Sequence, residues 1–376
     1  MELLRLIIFI KKRLLILVSV FYWFKNFFIM NVDYIIVGCG LAGIAFAETC
    51  LQNNKSIFVF DNNSQTSSTV AAGIYNPVIL KRFSGLQDAQ QQLDLLNVFY
   101  KSIEQRLDIK INYKTPVLRK FASIEDQNNW FAAADKPNLE AFLSLDIYKQ
   151  KYNCIHSPYD FGEVLQTGYV DTALLLNKYK SFLEENILLQ KSKFDYEKII
   201  FSDDFVSYNN IKARRIVFAE GYGIHNNVFF NHLPIDGTKG ELLIIRTQDL
   251  NFDCILNSSI FILPLGNDLF KIGATYNWFD KTNDPTEDGK SELIDRLKEI
   301  ISCDYEIIAH QAGVRPTVKD RKALIGTHPN FSNLHILNGL GTRGVMLAPT
   351  MALHLFNSIE NGFVLDKNID IKRFTK

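Results

Sequence analysis

Cysteine is scarce in this 376-residue chain, and its few copies form no pattern. Five cysteines, an odd number without paired spacing, argue against a disulfide framework and for a reducing compartment. No Cys or His cluster has metal-ligand spacing, so no metal site is expected. Cys50, Cys154, Cys254 and Cys303 read as small packing residues. An excess of either charge is also missing. Lysine plus arginine equals aspartate plus glutamate, 41 each, which removes any global electrostatic case for a nucleic-acid partner. Internal repeats and low-complexity tracts are absent, which sets solenoids aside. A full-length membrane span is lacking as well. Leu14 to Phe24 is apolar apart from Ser19, but as a helix it reaches only about 16 Å, half a hydrocarbon core. Residues 1–29 therefore read as an extension dispensable for the fold, with a weak basic-apolar membrane anchor as the alternative. The expected location is cytoplasmic, or membrane-associated if that segment anchors the chain.

What is present begins at Tyr34. Tyr34 to Val37 reads as a buried strand, and Gly38-x-Gly40-x-x-Gly43 follows at once. Ile44 to Leu51 then has a helical apolar stripe. Ser56 to Phe60 reads as the next strand, with Asp61 at its end. Each residue type has a reason. Gly38 allows a tight turn, Gly40 lets backbone approach a pyrophosphate, and Gly43 lets helix lie close to strand. The helix N-terminus offers free N–H groups and positive partial charge to phosphates. Asp61 stands 23 residues after Gly38, about where a carboxylate accepts from an adenosine ribose.

Further along, residues 61–78 are too polar and small at their start to be a core element and read as a loop, either plain or lying along a cofactor. Helical periodicity covers 88–107 and 124–134. Another helix opens after Gly168, with Asp171 or Thr172 as N-cap, and runs to about Glu185. Strands are expected at 198–201 and 215–219; the latter ends in Ala219-Glu-Gly221, where glycine can approach a cofactor or simply turn. A β-rich block follows, with strands at 239–245, 261–265 and 269–275, a polar loop at 280–289 and a helix from Ser291 to Ile301. This block reads as a second domain. The end of the chain returns to a glycine-rich pattern, with Gly339-Leu-Gly-Thr-Arg-Gly344 before a helix that Gly362 stops.

Taken together these stretches resemble the FAD-dependent oxidoreductases of the D-amino-acid oxidase and glycine oxidase family. The resemblance is carried by the first fingerprint, Ser67–Gly73, Gly168–Asp171, Lys239-Gly-Glu241, Pro264 with Ile272–Thr275, Gly313-Val-Arg-Pro316 and Gly339–Pro349, over about residues 31–365. It implies an α/β fold with a discontinuous Rossmann-type FAD-binding domain (31–105, 166–235, 305–376). A mostly antiparallel β-sheet substrate lobe (106–165, 236–304) would cover the flavin. By resemblance Gly38, Gly40, Leu41, Ala42 and Gly43 meet the pyrophosphate region and Asp61 the ribose. Ser67, Ser68, Thr69, Ala71, Ala72 and Gly73 would lie along the flavin, with Gly221, Gly341, Thr342 and Gly344 near its other side. Arg315 matches the arginine that holds the substrate carboxylate, a role suited to a planar guanidinium; pairing with a structural acid is the alternative.

Two departures bear on chemistry. Val70 stands where some relatives tether FAD through histidine, and no cysteine follows Cys303, so non-covalent FAD is expected. Phe261 and Ile262 stand where glycine oxidase has substrate-binding tyrosines, which counts against glycine itself. The implied activity is oxidation of an amino acid or N-substituted glycine-type amine at its C–N bond by hydride transfer to flavin. The partner is then a small-molecule amine, and the electron acceptor stays open. Two alternatives stand beside it. Ile272–Tyr276 and Arg296-Leu297 are similar to the oxidase domain of the bacterial tRNA wobble-uridine methylaminomethyl enzyme. The other is a flavin-binding protein without turnover.

Overall fold

The structure, a computed structural model, describes residues 29–149 and 152–374. The N-terminal extension, up to residue 28, lies outside the described residues. Among the described residues no helix is long and apolar enough to cross a membrane.

Met30–Val37 is the central strand of an eight-stranded sheet. Ile57–Asp61 and Leu189–Lys191 run parallel to it on one side, Ile211–Phe218 and Leu334–Asn338 on the other. A hairpin of Ile199–Phe201 and Val206–Tyr208 adds antiparallel strands at one edge, and Leu324–Thr327 pairs with Leu334–Asn338. Parallel pairing requires crossovers, and Leu41–Gln52 is the first. Both faces are then buried at the centre, where Tyr34–Val37, Ile57–Phe60 and Ile216–Phe218 form apolar runs. Tyr34 and Ile36 pack towards helices Leu41–Gln52, Ala89–Leu107, Thr172–Glu185 and Gly344–Asn361. Ile35 and Val37 pack with Phe58, Phe60 and Phe218 on the other face. The carboxyl ends of the parallel strands all open at one edge, where ligands bind in such sheets.

A second eight-stranded sheet runs Glu306–Arg315, Thr238–Arg246, Leu269–Gly273, Phe261–Gly266, Ile255–Asn257, Val117–Lys120, Phe161–Val164, Leu143–Tyr148. All its pairings are antiparallel except Ile255–Asn257 with Val117–Lys120. Helix Glu287–Lys298 covers its back through Leu293 and Leu297. Between the large sheets lies a three-stranded one, Ile74–Tyr75, Gly168–Val170 and Asn112–Lys114.

Several expectations need correction. Ser67–Val70 forms a helical turn inside the expected loop, its Val70 N–H bonding Thr66 O. The helix placed at 291–301 spans Glu287–Lys298. Thr286 Oγ1 accepts from Gly289 N at 3.1 Å, and Glu287 and Asp288 suit the positive N-terminus. Ile301 leaves the helix to bridge Ile155. Glu306–Arg315, which falls within the 305–376 segment expected in the nucleotide-binding domain, is a strand. Its register on Thr238–Arg246 puts it in the second sheet. Asp171, rather than Thr172, caps its helix, accepting from Leu174 N at 2.9 Å. Gly362 stops the last helix in the left-handed region, φ 70°.

Glu48 is fully buried in the helical layer. Arg106 Nε lies 2.9 Å from Glu48 Oε2, and the Tyr179 hydroxyl donates to the same oxygen at 3.1 Å. One carboxylate thus pins three helices together. Arg106→Ala strands that charge, at a cost on the order of 3 kcal/mol, the low end for a broken buried pair because part of Arg106 is solvated. Urea unfolding of the variant measures the loss; a shift under about 0.5 kcal/mol would show that water replaces the arginine.

Candidate active site

The site forms where the parallel strand ends meet two helix N-termini. Gly38 turns the chain at φ 101°, and a Cβ there would lie 2.4 Å from Ala219 O. Gly40 caps helix Leu41–Gln52 without a side-chain bond, and no acid stands in the first turn. Ser68 Oγ accepts from Leu41 N at 3.1 Å, so the Ser67–Val70 turn lies against this N-terminus. Opposite, Gly341–Arg343 forms a 3-10 turn before helix Gly344–Asn361, again with no acid in the first turn. Asn338 Nδ2 donates to Gly221 O at 2.9 Å and joins the two glycine loops. A Cβ at Gly221 or Gly341 would meet nothing within 4 Å.

These parts enclose a cavity of about 470 Å³, within the size range of ligand pockets. Of the expected cofactor residues, Gly38, Gly40, Leu41, Ala42, Asp61, Ser67, Ser68, Ala71, Ala72, Gly73, Gly221, Gly341, Thr342 and Gly344 line it, as does Arg315. Two do not. Thr69 is exposed on the outer side of its turn. Gly43 lies behind the turn, where a Cβ would be 1.9 Å from Gly38 O, so its part is close packing. Val70 lines the wall where a tethering histidine was considered.

Partners that the sequence reading missed surround this frame. Lys180, from helix Thr172–Glu185, donates to Asp61 Oδ2 at 2.5 Å and to Asn63 Oδ1 at 2.6 Å. No local signal marks this pair, because the residues lie 119 positions apart. Glu220 follows strand Ile211–Phe218 and accepts from the Tyr196 hydroxyl and from Asn227 Nδ2 at 2.7 Å. Burial pushes its carboxyl up from 4.5 to about 7, against the two hydrogen bonds, which favour the charged form.

The second sheet roofs the cavity. Thr238 pairs with Arg315 and Gly240 with Gly313. A Cβ at Gly240 would lie 1.9 Å from Arg315 Nη2, so only glycine admits the guanidinium there. Arg315 is half-buried, 5.6 Å from the Tyr276 ring centroid, with its Nη1 3.5 Å from Thr275 O. Among the described residues no carboxylate pairs with it, and burial holds its pKa below the ordinary arginine value. Beside it, the Lys239 ammonium is fully buried and held by Asp280, Thr282 Oγ1 and Asp284 O. Glu241 accepts from Thr286 N at 2.9 Å, and His310 Nε2 lies 2.8 Å from its carboxylate. The lysine and the one acid of the strand that carries Gly240, Lys239 and Glu241, are thus spent on fixing the loop of residues 280–286, and Arg315 is left over.

The DAO family of FAD dependent oxidoreductases matches residues 33–357, and the chain belongs to it. It is similar to a glycine oxidase of Bacillus subtilis, 20% identical over 360 residues, 88% of this chain and 93% of that protein. A shorter likeness, 26% over 156 residues, is to the tRNA 5-methylaminomethyl-2-thiouridine biosynthesis bifunctional protein MnmC of Campylobacter jejuni; it covers 40% of this chain and 25% of that one. Among solved structures, a glycine oxidase from Geobacillus kaustophilus superposes with TM-score 0.72 at 16% identity, over 92% of this chain and 98% of that one. The protein is an FAD-dependent oxidoreductase. Its residues fit the group: two helix N-termini with no acid in the first turn suit a pyrophosphate, and bare glycines leave room for a flat ring.

Gly40→Val leaves room for its own chain, since a Cβ at Gly40 would meet only the Ser68 side chain, at 3.0 Å. The larger branched group intrudes on the cradle. A folded variant by circular dichroism should bind FAD at least ~100-fold more weakly in a fluorescence titration, about 2.7 kcal/mol; wild-type affinity would count against this cradle. Glu220 supplies a second test. Its raised folded-state value means that the proton's contribution to stability is full below about pH 4.5 and lost as pH rises through about 7. Glu220→Gln should flatten the decline in urea midpoint between pH 5 and 8; an unchanged slope would assign the decline to other groups.

Proposed function

We propose that the protein oxidises the C–N bond of an amino acid or N-substituted glycine, holding FAD non-covalently and the substrate carboxylate at Arg315. The observation that carries this reading is the unpaired guanidinium on the roof of a glycine-lined cavity. FAD, when bound, would supply the acceptor for the two electrons that leave with the α-carbon's hydrogen as the C–N single bond becomes C=N. The remaining work falls to the chain. Helix Leu41–Gln52 presents its first-turn amides beyond Leu41, whose N–H is held by Ser68 Oγ, to the pyrophosphate, and Asp61, oriented by Lys180, keeps one oxygen for the ribose. Arg315 grips the carboxylate through two parallel N–H bonds and so fixes the α-carbon beneath the roof. The Tyr276 ring offers its face to the guanidinium and limits its swing. Leu242, Ile255 and Phe261 exclude water above the reacting bond. The segment 31–105, 166–235 and 316–376 acts as the cofactor-holding unit and the second sheet as the substrate lobe.

A second reading, in which the amine is carried on a tRNA, has only the partial likeness to MnmC behind it, over 25% of that protein, and is not favoured. The same Arg315 would serve it. A net charge of zero supplies no general attraction for a polyanion.

Arg315→Lys keeps the charge and loses the planar fork, so substrate binding should weaken while FAD content stays unchanged. Arg315→Ala should lower kcat/KM by about 30- to 1000-fold, or ~2–4 kcal/mol. Steady-state kinetics on paired amines, with and without the carboxylate, separates the roles. An equal loss on both would make Arg315 a support of the site's structure.

A further inference from the structure

We infer that the preferred substrate carries an apolar substituent in addition to its carboxylate, and that Leu242, Ile255 and Phe261 select it. This rests on the reading above, in which Arg315 holds the carboxylate.

The charges around the cavity divide unevenly. Asp61, Lys180, Lys193, Glu220 and Arg315 are the charged residues among the described ones that line it. The first four belong to the first sheet and its connections. Asp61 is paired with Lys180, and Glu220 is bonded to Tyr196 and Asn227. Arg315 alone stands on the roof. Among the residues that line the cavity, the substrate half therefore offers one cation and no acid; Lys271, on the same sheet, has its ammonium engaged by Ala71 O at 3.3 Å.

Apart from the Tyr276 hydroxyl, the rest of the roof is apolar or already engaged. Leu242 and Ile255 are buried in the sheet, and Phe261 packs beside them. Leu242 and Phe261 converge over Gly273, where a Cβ would lie 2.0 Å from Leu242 Cδ2 and 2.8 Å from Phe261 Cζ. The strand gives up its own side chain there, and two neighbours close into one apolar surface. Two polar side chains on the roof are occupied. Asn257 Oδ1 accepts from Arg119 Nη1 at 3.3 Å, and Thr275 Oγ1 accepts from Glu241 N at 2.9 Å.

Chemistry follows from this inventory. A second carboxylate, as in glutamate or iminodiacetate, finds no second cation. A basic side chain finds no acid. Burying either charge without a partner is costly. An aliphatic or aromatic group instead gains the roof's apolar contact. Differences of a few methylenes in such pockets change catalytic efficiency about 10- to 200-fold. Glycine and sarcosine leave that contact unused.

Anaerobic stopped-flow reduction of the FAD-loaded protein tests the idea. The panel is glycine, sarcosine, iminodiacetate, N-benzylglycine, and both enantiomers of leucine, phenylalanine, glutamate and lysine. The expected result is reduction of flavin by leucine, phenylalanine or N-benzylglycine with at least ~10-fold higher efficiency than by glycine, sarcosine or the charged members. Phe261→Asn should narrow the ratio between the best apolar substrate and sarcosine about 10-fold, with FAD content and flavin spectrum unchanged. Glycine, sarcosine or a charged member equalling the apolar ones would overturn the inference and leave the carboxylate reading standing. A Phe261→Asn effect equal on every substrate would do the same. Flavin left oxidised by the whole panel would overturn both.

Discussion

The carbonyl oxygen of Gly38 occupies the space that a Cβ at Gly43 would need, and Ala219 O occupies the space of one at Gly38. Two glycines thus let the Leu41–Gln52 helix and the ends of strands Met30–Val37 and Ile211–Phe218 close to backbone contact. Everything the site does depends on that approach. It brings the helix N-terminus level with the strand ends, so that the first-turn amides beyond Leu41 face the crevice. It also draws Gly221 within reach of Asn338, which sets the second glycine loop and the start of the last helix on the opposite wall. A methyl group at either glycine would push helix from strand and separate the two walls together.

The roof is placed by a different device, strand register. Thr238 pairs with Arg315 and Gly240 with Gly313. A slip of one residue would turn Arg315 to the other face of the sheet. Gly313 lies close over the Ser67 backbone, where a Cβ would come within 3.0 Å, and the Thr66 hydroxyl donates to Ala312 O at 3.0 Å. The roof strand is therefore docked on the same turn that supports the first helix N-terminus through Ser68. Cradle and roof share one small helical turn, which links the positions of cofactor and substrate groups in the proposed reading.

What was legible in the sequence is what is decided locally. The fingerprint, the 124–134 helix, the Asp171 cap and the Gly362 stop each depend on a few neighbouring residues, and each stands where it was read. Long-range partners left no such mark. Glu306–Arg315 alternates poorly, with partly covered residues along its first half, because it lies at the sheet edge and packs against the Ser67 turn at one end only. Lys180 looked like any solvent-facing lysine of an amphipathic helix, and only the fold sets it on Asp61. Lys239 was read as part of a family motif; its burial among Asp280, Thr282 and Asp284 comes from a loop some forty residues on. Thr69 was grouped with its neighbours by sequence adjacency, and the helical turn faces it outward.

Among the described residues Arg315, like Lys271 and Arg343, lacks the acidic partner that several other buried charges of this chain have. Glu48 has Arg106 and Tyr179, Lys239 has Asp280, and Asp61 has Lys180. Each of these buried charges found a partner, because an uncompensated one is expensive. Arg315 is set beneath a roof with only a tyrosine ring and a distant carbonyl for company, and its depressed pKa records the cost. The nearby acids could have relieved it. Glu241 lies on the same strand as Gly240, yet it is committed to Thr286 and approached by His310. A structural ion pair would have stabilised the empty fold more. Leaving the guanidinium unsatisfied favours a bound carboxylate instead, since the ligand then relieves a desolvation penalty that the protein has already met. Local rules broken without compensation inside the protein are expected at sites where a ligand completes them.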